Sequence, residues 1–300
     1  MQKAYLKYIL ALLLFGSNGI VASLISLTSY EIVLVRSLIG SLFLILIFAI
    51  SGRKLQSWKN KKHFLYLLVS GMAMGASWMF LYEAYVQIGV GLSTLAYYCG
   101  PAMVMVLAPF IFRESLSRAK WIGFLAVLTG MVLLNFQSLL QGELSWGLIC
   151  GLLAALMYAV MIIFNKKATS VTGLENPMFQ LTVSVIVVGC FTLLKQGIVL
   201  NISQDSILPI LFLGVVNTGI GCYLYFSSIP HLPAQSVVII GYLDPVSALI
   251  FSAIFLGERL TWLQLVGTVL ILGGAALGEY FSRRQVMPGL SQDNIRPVRG

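Results

Sequence analysis

The sequence predicts an all-α integral membrane protein with ten transmembrane helices in two inverted five-helix repeats. The first observation behind this is composition. Hydrophobic residues make up 59% of the 300-residue chain and charged residues only 10%, where a soluble domain carries roughly a quarter charged residues. That much apolar surface needs lipid as its solvent. The second is a set of ten apolar runs near the length of about 20 residues that crosses a hydrocarbon core: 4–24, 30–51, 64–86, 92–112, 119–137, 146–165, 178–199, 207–227, 234–256 and 262–281. The third is an internal repeat, which makes one half of the chain a copy of the other.

The repeat is read from two stretches, GPAMVMVLAPFIFRESL from Gly100 to Leu116 and DPVSALIFSAIFLGERL from Asp244 to Leu260. One shift of 144 positions places Pro101 on Pro245, Glu114 on Glu258 and Leu116 on Leu260. The same shift carries Gly75 onto Gly219, Tyr98 onto Tyr242, Gly123 onto Gly267 and Gly130 onto Gly274. Residues 1–140 form the first repeat, 141–284 the second, and 285–300 a polar, disordered tail with Pro288, Gly289 and Pro297. In a membrane chain such duplication points to transport.

The charges set the topology. With the N-terminus in the cytoplasm, sixteen of the 19 Lys and Arg fall on the inner side, Lys195 and Arg259 on the outer, and Arg36 within a span. Cytoplasmic loops carry the Lys/Arg excess, so both termini are placed inside a cell membrane. The same pattern accounts for the net charge of +9 without nucleic acid. Each repeat has an odd number of spans, so the second enters from the opposite side. Glu114 then faces the cytoplasm while its mate Glu258 faces out. The first 23 residues imitate a signal peptide and are read as the first span, because further apolar runs follow. The loop from Ser51 to His63 is basic and sets topology beside phospholipid. Cys99, Cys150, Cys190 and Cys222 are scattered singly, without metal-ligand spacing, and are read as small buried hydrophobes.

Pro101 and Glu114 with Gly123, Pro245 with Gly257-Glu258-Arg259 and Gly267, and the run GERLTWLQLVGTVLILGG from Gly257 to Gly274 together resemble the EamA-type branch of the drug/metabolite transporter superfamily. The resemblance spans about residues 4–282. It implies export of amino acids, metabolites or drugs on a proton or exchange gradient, through a central cavity between the halves. The first copy departs from the pattern at Arg113, where the second has Gly257.

Candidate site residues follow from polar groups inside the spans. Pro101 and Pro245 lack an N–H, which frees the carbonyls of Tyr97 and Gly241. Such groups line a wet cavity or are re-paired by packing. Asp244 sits mid-span, where a charge costs about 2.5–3.5 kcal/mol. It reads as a cation-binding or proton-linked carboxylate, or as a structural pair or helix-break cap. Arg36 and Glu83 are read either as a pair with each other or as grips on the two ends of a zwitterion, Arg binding carboxylate by its fork. Trp78, Tyr82 and Tyr85 share a helix face bordered by Glu83. With Tyr97, Tyr98, Tyr158, Tyr223, Tyr225 and Tyr242 they suit a cationic or aromatic amine, though aromatics also form belts and cores. Asn18 and Asn165 hydrogen-bond either substrate or another helix. His231 is read as an interfacial loop residue. Gly123, Gly130, Gly267, Gly273, Gly274 and Gly278 mark the fifth and tenth helices as close-packing scaffold.

The expected substrate-binding set is therefore Asn18, Trp78, Tyr82, Glu83, Tyr97, Tyr98, Tyr158, Tyr223, Tyr242 and Asp244. Asp244, Arg36, Pro101 and Pro245 are expected to gate or couple. The reading is a transporter of small organic molecules working by alternating access. Efflux of amino acids or related amines leads, uptake of a quaternary amine or other nutrient is second, and movement of a lipid-linked sugar third. The non-transport alternative is a structural or sensor membrane protein. An intramembrane aspartyl protease needs two carboxylates sharing a site, and Asp244 has no deep acidic companion. No metal, cofactor or catalytic residue is expected. The partners are a small-molecule substrate, the bilayer and protons, in a monomer or homodimer. If the repeats are inverted, residues introduced for labelling in the 113–118 and 257–262 turns react with impermeant reagent from opposite faces of the membrane. Labelling from the same face would remove the two-fold arrangement.

Overall fold

The computed structural model describes residues 2–52, 54–55, 59–113, 118–134, 136, 140, 146–197, 200–255, 257 and 261–286. Expectations for Glu114, Glu258, Arg259 and the tail beyond residue 286 lie outside the described residues. Among the described residues there are helices, turns and bends and no strand, as expected for a chain that must satisfy its backbone inside hydrocarbon.

The elements are α1 (Gln2–Gly16), α2 (Asn18–Ser23), α3 (Ser29–Ile50), α4 (Lys61–Tyr97), α5 (Cys99–Phe112) and α6 (Arg118–Leu134), then α7 (Trp146–Lys167) and α8 (Glu175–Gln196). There follow α9 (Gln204–Phe212), a π-helical stretch (Leu213–Ile220), α10 (Gly221–Ser228), a 3₁₀ turn (Ile229–His231), α11 (Ala234–Gly241), α12 (Leu243–Phe255) and α13 (Trp262–Val286). Among the described residues, seven runs are long and apolar enough to cross a membrane: Gln2–Ser23, Ser29–Ile50, Lys61–Gly89, Trp146–Lys167, Glu175–Gln196, Gln204–His231 and Ala234–Phe255. Cys99–Phe112, Lys120–Leu133 and Trp262–Leu277 are apolar but shorter. The 14 residues of α5 extend about 21 Å at 1.5 Å per residue. To span about 30 Å they need the helical turns beyond Gly89 in α4.

Local chemistry explains the ends. Thr28 and Glu31 form a capping box at the start of α3, with Thr28 N donating to Glu31 Oε2 at 2.9 Å and Glu31 N to Thr28 Oγ1 at 3.3 Å. Asn60 Oδ1 accepts from His63 N at 3.2 Å to start α4. α4 kinks at Gly89, whose φ of 77° is a conformation only glycine adopts freely. Arg113, just past α5, takes φ 55°, and its repeat mate Gly257 takes φ 68°. The two copies thus share one left-handed turn, which Arg113 enters against the steric preference of an L side chain.

Three readings of the spans are corrected. The first run is broken at Ser17 between α1 and α2. The 92–112 and 234–256 runs are broken at Tyr98 and Tyr242, so Pro101 and Pro245 sit in the first turns of new helices rather than in helix interiors. There a missing N–H costs nothing, because those donors lack intrahelical acceptors anyway. The eighth run carries a π-helical segment, a feature that often marks functional sites. Among the cysteines, Cys150 and Cys222 are buried as expected, but Cys99 and Cys190 are exposed, and all four are free thiols.

The helices pack with a recurring pattern. α1 lies against α10 and α12, α7 against α4 and α5, α4 against α8, and α3 against the π-helical stretch. α6 and α13 approach closely. A Cβ on Gly130 would lie 2.6 Å from Gly267 O, and one on Gly274 2.6 Å from Gly123 O. The two contacts exchange under the 144-residue shift. Small residues here allow backbones to touch in a setting where packing, not hydrophobic burial, joins helices. Gly273 does not belong with them, since nothing lies within 4 Å of where its Cβ would be. Large apolar side chains such as Leu42, Phe110, Leu194 and Trp262 are exposed on the outside, as lipid contact requires.

Gly130→Ala and Gly274→Ala should therefore force α6 and α13 apart and destabilise the protein by about 1–3 kcal/mol, whereas Gly273→Ala should change stability by less than about 0.5 kcal/mol. Thermal unfolding in detergent measures this, and equal melting of all three variants would contradict the packing.

Candidate functional site

The two helix breaks meet. Tyr98 and Tyr242 are repeat mates, their rings are 5.5 Å apart, and the Tyr242 hydroxyl donates to Tyr98 O at 3.0 Å. The hydroxyl thus serves a carbonyl at the break, where a lipid-buried chain needs an outside partner. At the other break, Tyr8 Oη lies 3.4 Å and Tyr158 Oη 3.9 Å from where a Gly241 Cβ would be. The Tyr8 hydroxyl donates to Val237 O at 2.9 Å.

Around this point runs a chain of rings. Tyr8 stacks on Tyr225 at 5.1 Å, the Tyr225 and Tyr158 hydroxyls are 3.3 Å apart, and Tyr97 contacts Tyr158 at 5.4 Å and Tyr98 at 5.5 Å. Both halves of the chain contribute. Asp244 lies in the first turn of α12, where the helix dipole favours an acid. It is partly exposed. Its carboxyl engages the Tyr98 side chain and lies within electrostatic range of Arg36, Tyr8, Tyr85, Tyr97 and Tyr158. The structure thus brings Tyr97, Tyr98, Tyr158, Tyr242, Asp244, Pro101, Pro245 and Arg36 to one region.

Arg36 and Glu83 do not pair with each other, which corrects one of the sequence readings. The guanidinium carbon of Arg36 lies over the Trp78 ring, 4.6 Å from its centroid. Glu83 is 3% exposed and accepts from Lys195 Nζ at 3.0 Å, from Gln87 Nε2 at 3.1 Å and from the Tyr30 hydroxyl. Both carboxylate oxygens are engaged, so Glu83 is occupied as a tie between α3, α4 and α8. The aromatic face of α4 divides accordingly. Trp78 turns to Arg36, whereas Tyr82 contacts Tyr85 at 5.2 Å and packs beside Tyr30, Met79 and Val188.

The contacts of Tyr223, Asn18 and Asn165 run to partners other than Asp244. Tyr223 stands under Lys7, whose Nζ is 5.2 Å from the ring centroid. Asn18 Oδ1 accepts from Asn217 Nδ2 at 2.9 Å, and that amide also lies 3.0 Å from Leu14 O and 2.8 Å from Ser17 Oγ. Asn18 is thus engaged in helix-to-helix bonding at the α1–α2 break. Asn165 Nδ2 likewise donates to Asn176 Oδ1 at 2.8 Å, and His231 is exposed in its turn. Sequence reasoning missed Tyr8 and Asn217, both solitary polar groups in apolar runs with no spacing signal. It named the ring of Tyr225 without giving it a place in the site. Among the described residues no group of three His, Cys, Asp or Glu could hold a metal ion. A groove of about 500 Å³ between α5 and α7, lined by Cys99, Met103, Leu107, Leu156 and Val160, is wholly apolar.

The EamA-like transporter family matches residues 2–136 and again 145–278. The chain belongs to that family. It is a multi-pass membrane transporter, and its superfamily is the drug/metabolite transporters, as the repeated Pro and Gly positions implied. A relative named "Uncharacterized transporter YxxF" from Bacillus subtilis is 29% identical over 278 residues, covering 91% of this chain and 88% of its own. Proteins named "Probable amino-acid metabolite efflux pump" from Escherichia coli and Salmonella typhimurium are each 28% identical, covering 61% of this chain and 65% of theirs. A protein of known crystal structure superposes with a TM-score of 0.81 at 18% identity, covering 94% of this chain and 99% of its own, which speaks for the fold alone.

Tyr242→Phe removes the hydroxyl that serves Tyr98 O and should lower stability by about 1 kcal/mol while leaving the ring contact in place. A melting temperature equal to that of the unsubstituted transporter would mean that the Tyr98 carbonyl is served from elsewhere.

Proposed function

We propose that this transporter exports amino acids or related amines from the cytoplasm by alternating access between two inverted five-helix repeats, 1–140 and 141–284, in the cell membrane with both termini inside. The observation that carries the reading is the contact between the repeat mates Tyr98 and Tyr242 beside Asp244. Two positions related by the repeat can touch only where the axis relating the copies passes. Broken helices that meet near such an axis are where transporters of this architecture bind cargo. The exchanged contacts Gly130–Gly267 and Gly274–Gly123 support the same axis. The sixteen-to-two bias of Lys and Arg supports the orientation, and two relatives named as amino-acid metabolite efflux pumps support the direction and cargo.

In this reading Asp244 binds a substrate ammonium or a coupling proton, the tyrosines of both halves line the path, and Pro101 and Pro245 hold the breaks at which the halves move. Trp78 and Tyr82 supply aromatic faces. Movement of one half relative to the other would exchange which end of the breaks faces water.

Flux into proteoliposomes, with a panel of amino acids, amines and drugs and with and without a pH gradient, tests this. Asp244→Asn is expected to insert normally and lose gradient-driven flux, and Trp78→Ala and Tyr82→Ala to weaken apparent affinity by about tenfold. Full gradient-driven flux in Asp244→Asn would remove that carboxylate from the site, and absence of flux with every compound would remove the export reading.

A further inference from the structure

The groove between α5 and α7 is bounded at both ends. At the break, a Cβ on Gly100 would lie 2.7 Å from Ala155 O and 2.9 Å from the Tyr158 ring, so the two helices nearly touch. At the far end, Lys166 Nζ lies 5.3 Å from the centroid of the Phe112 ring. Between these contacts the helices leave about 500 Å³, within the range of about 300–1,000 Å³ for sites that hold a small ligand. Cys99, Val106, Leu107 and Leu156 are exposed along it, so the groove opens on the outside of the helix bundle. Its wall is carbon and one thiol. That lining receives an alkyl chain and offers a polar ligand no partner.

The end beside Phe112 is basic. α5 stops at Phe112 with Arg113 next, and α7 stops at Lys167. Leu107 and Ile163 line the groove six and four residues before Arg113 and Lys167, about 9 Å and 6 Å along their helices. Lys166 donates to Leu232 O, while Arg113 is exposed and Lys167 partly exposed. Helix dipoles and the Lys/Arg bias each account for cations at such an end. The backbone of Arg113 asks for more. It takes φ 55°, and among the described residues it is the one non-glycine with a positive φ. Its repeat mate Gly257 makes the same turn with no side chain. Backbone strain of this kind clusters where a particular side chain is used, and here a guanidinium stands where glycine would serve the fold better.

We infer that the α5–α7 groove binds one anionic phospholipid of the bilayer, with an acyl chain along the groove and the phosphate on Arg113 and Lys167. Charge complementarity selects the headgroup. A guanidinium meets phosphate through its fork, and basic pockets between membrane helices at the cytoplasmic side hold anionic lipid headgroups. A zwitterionic lipid fits the same groove but carries its own ammonium beside the phosphate, which weakens the attraction. Free phosphate lacks the chain that the groove receives. α5 belongs to the first half of the sequence and α7 to the second, so a lipid seated here bridges the two. The site requires only that the protein lies in a membrane, and stands apart from the direction and cargo of transport.

Native mass spectrometry of the purified full-length transporter in detergent counts retained lipid during titration with dioleoyl phosphatidylglycerol, dioleoyl phosphatidylcholine or glycerol 3-phosphate. Phosphatidylglycerol is expected to bind about twentyfold tighter than phosphatidylcholine, from two cations at about fivefold each, and glycerol 3-phosphate not to bind. Arg113→Gly keeps the turn, because glycine takes that φ freely. It and Lys167→Gln should each weaken phosphatidylglycerol about fivefold. Val160→Trp, which fills the groove, should lose both lipids, and Lys54→Gln, an exposed cation elsewhere, should change neither. The unsubstituted protein carries its own reporter, since Cys99 lines the groove and Cys190, on α8, does not. With phosphatidylglycerol at about ten times its Kd, about one site in eleven stays open, so N-ethylmaleimide should modify Cys99 about tenfold more slowly and Cys190 as before. That comparison stands even if a variant fails to fold. Equal binding of the two lipids, binding of neither, an equal loss in Lys54→Gln, or equal slowing of both thiols overturns the site and leaves the transport reading standing.

Discussion

Inside hydrocarbon no backbone carbonyl or amide can be left without a partner, and the centre of this protein is organised by that demand. Its helices break at Ser17, Tyr98 and Tyr242, and in each region a side chain from a distant segment serves the exposed backbone. Asn217 reaches Leu14 O across 203 positions of sequence, Tyr8 reaches Val237 O across 229, and Tyr242 reaches Tyr98 O across 144. Thr218 Oγ1 donates to Leu213 O at 2.8 Å within the π-helical stretch, where the regular ladder is interrupted. The tyrosines at the breaks are thus held by the backbone they serve, which gives a broken-helix centre a defined shape.

The same economy separates the buried charges. Glu83 ties α4 to α3 and α8 through donors on every side, with Lys195 half-exposed at the end of α8. Asp244 sits at the start of a helix whose dipole favours it, and Arg36 is supported by an aromatic face. Carboxylates in one membrane core therefore have different fates. One is fully coordinated by protein and joins helices, and the other keeps a partly exposed edge beside a break. Their surroundings distinguish them, not their residue type.

The departures from the 144-residue repeat are as informative as the repeat. Position 161, the mate of Ser17, lies in the unbroken helix α7, and positions 69–76, the mates of the π-helical stretch, lie in unbroken α4. Asn217 joins the two irregular places directly. One pair of facing segments is therefore irregular and the segments at the related positions are not, so the two halves differ in local structure.

Much of the frame was legible in the chain itself. A helix in lipid must be long and apolar, so its place shows in composition, and duplication shows in a constant offset. That offset singles out Tyr98 with Tyr242 and the Gly123, Gly130, Gly267 and Gly274 set from the chain alone. The regular groups became legible because each had a mate. Tyr8, Asn217, the break at Ser17 and the exposed faces of Cys99 and Cys190 had none, and periodicity is silent about them. The sequence by itself determined a duplicated, multi-pass helical transporter, because hydropathy and repetition are properties of order along the chain. Only the tertiary structure decided that Glu83 belongs to Lys195 and Tyr30, that Arg36 rests on Trp78, and that the two breaks touch. Those depend on which helix faces are turned toward each other, and side-chain contacts between segments more than a hundred residues apart leave no trace in local spacing.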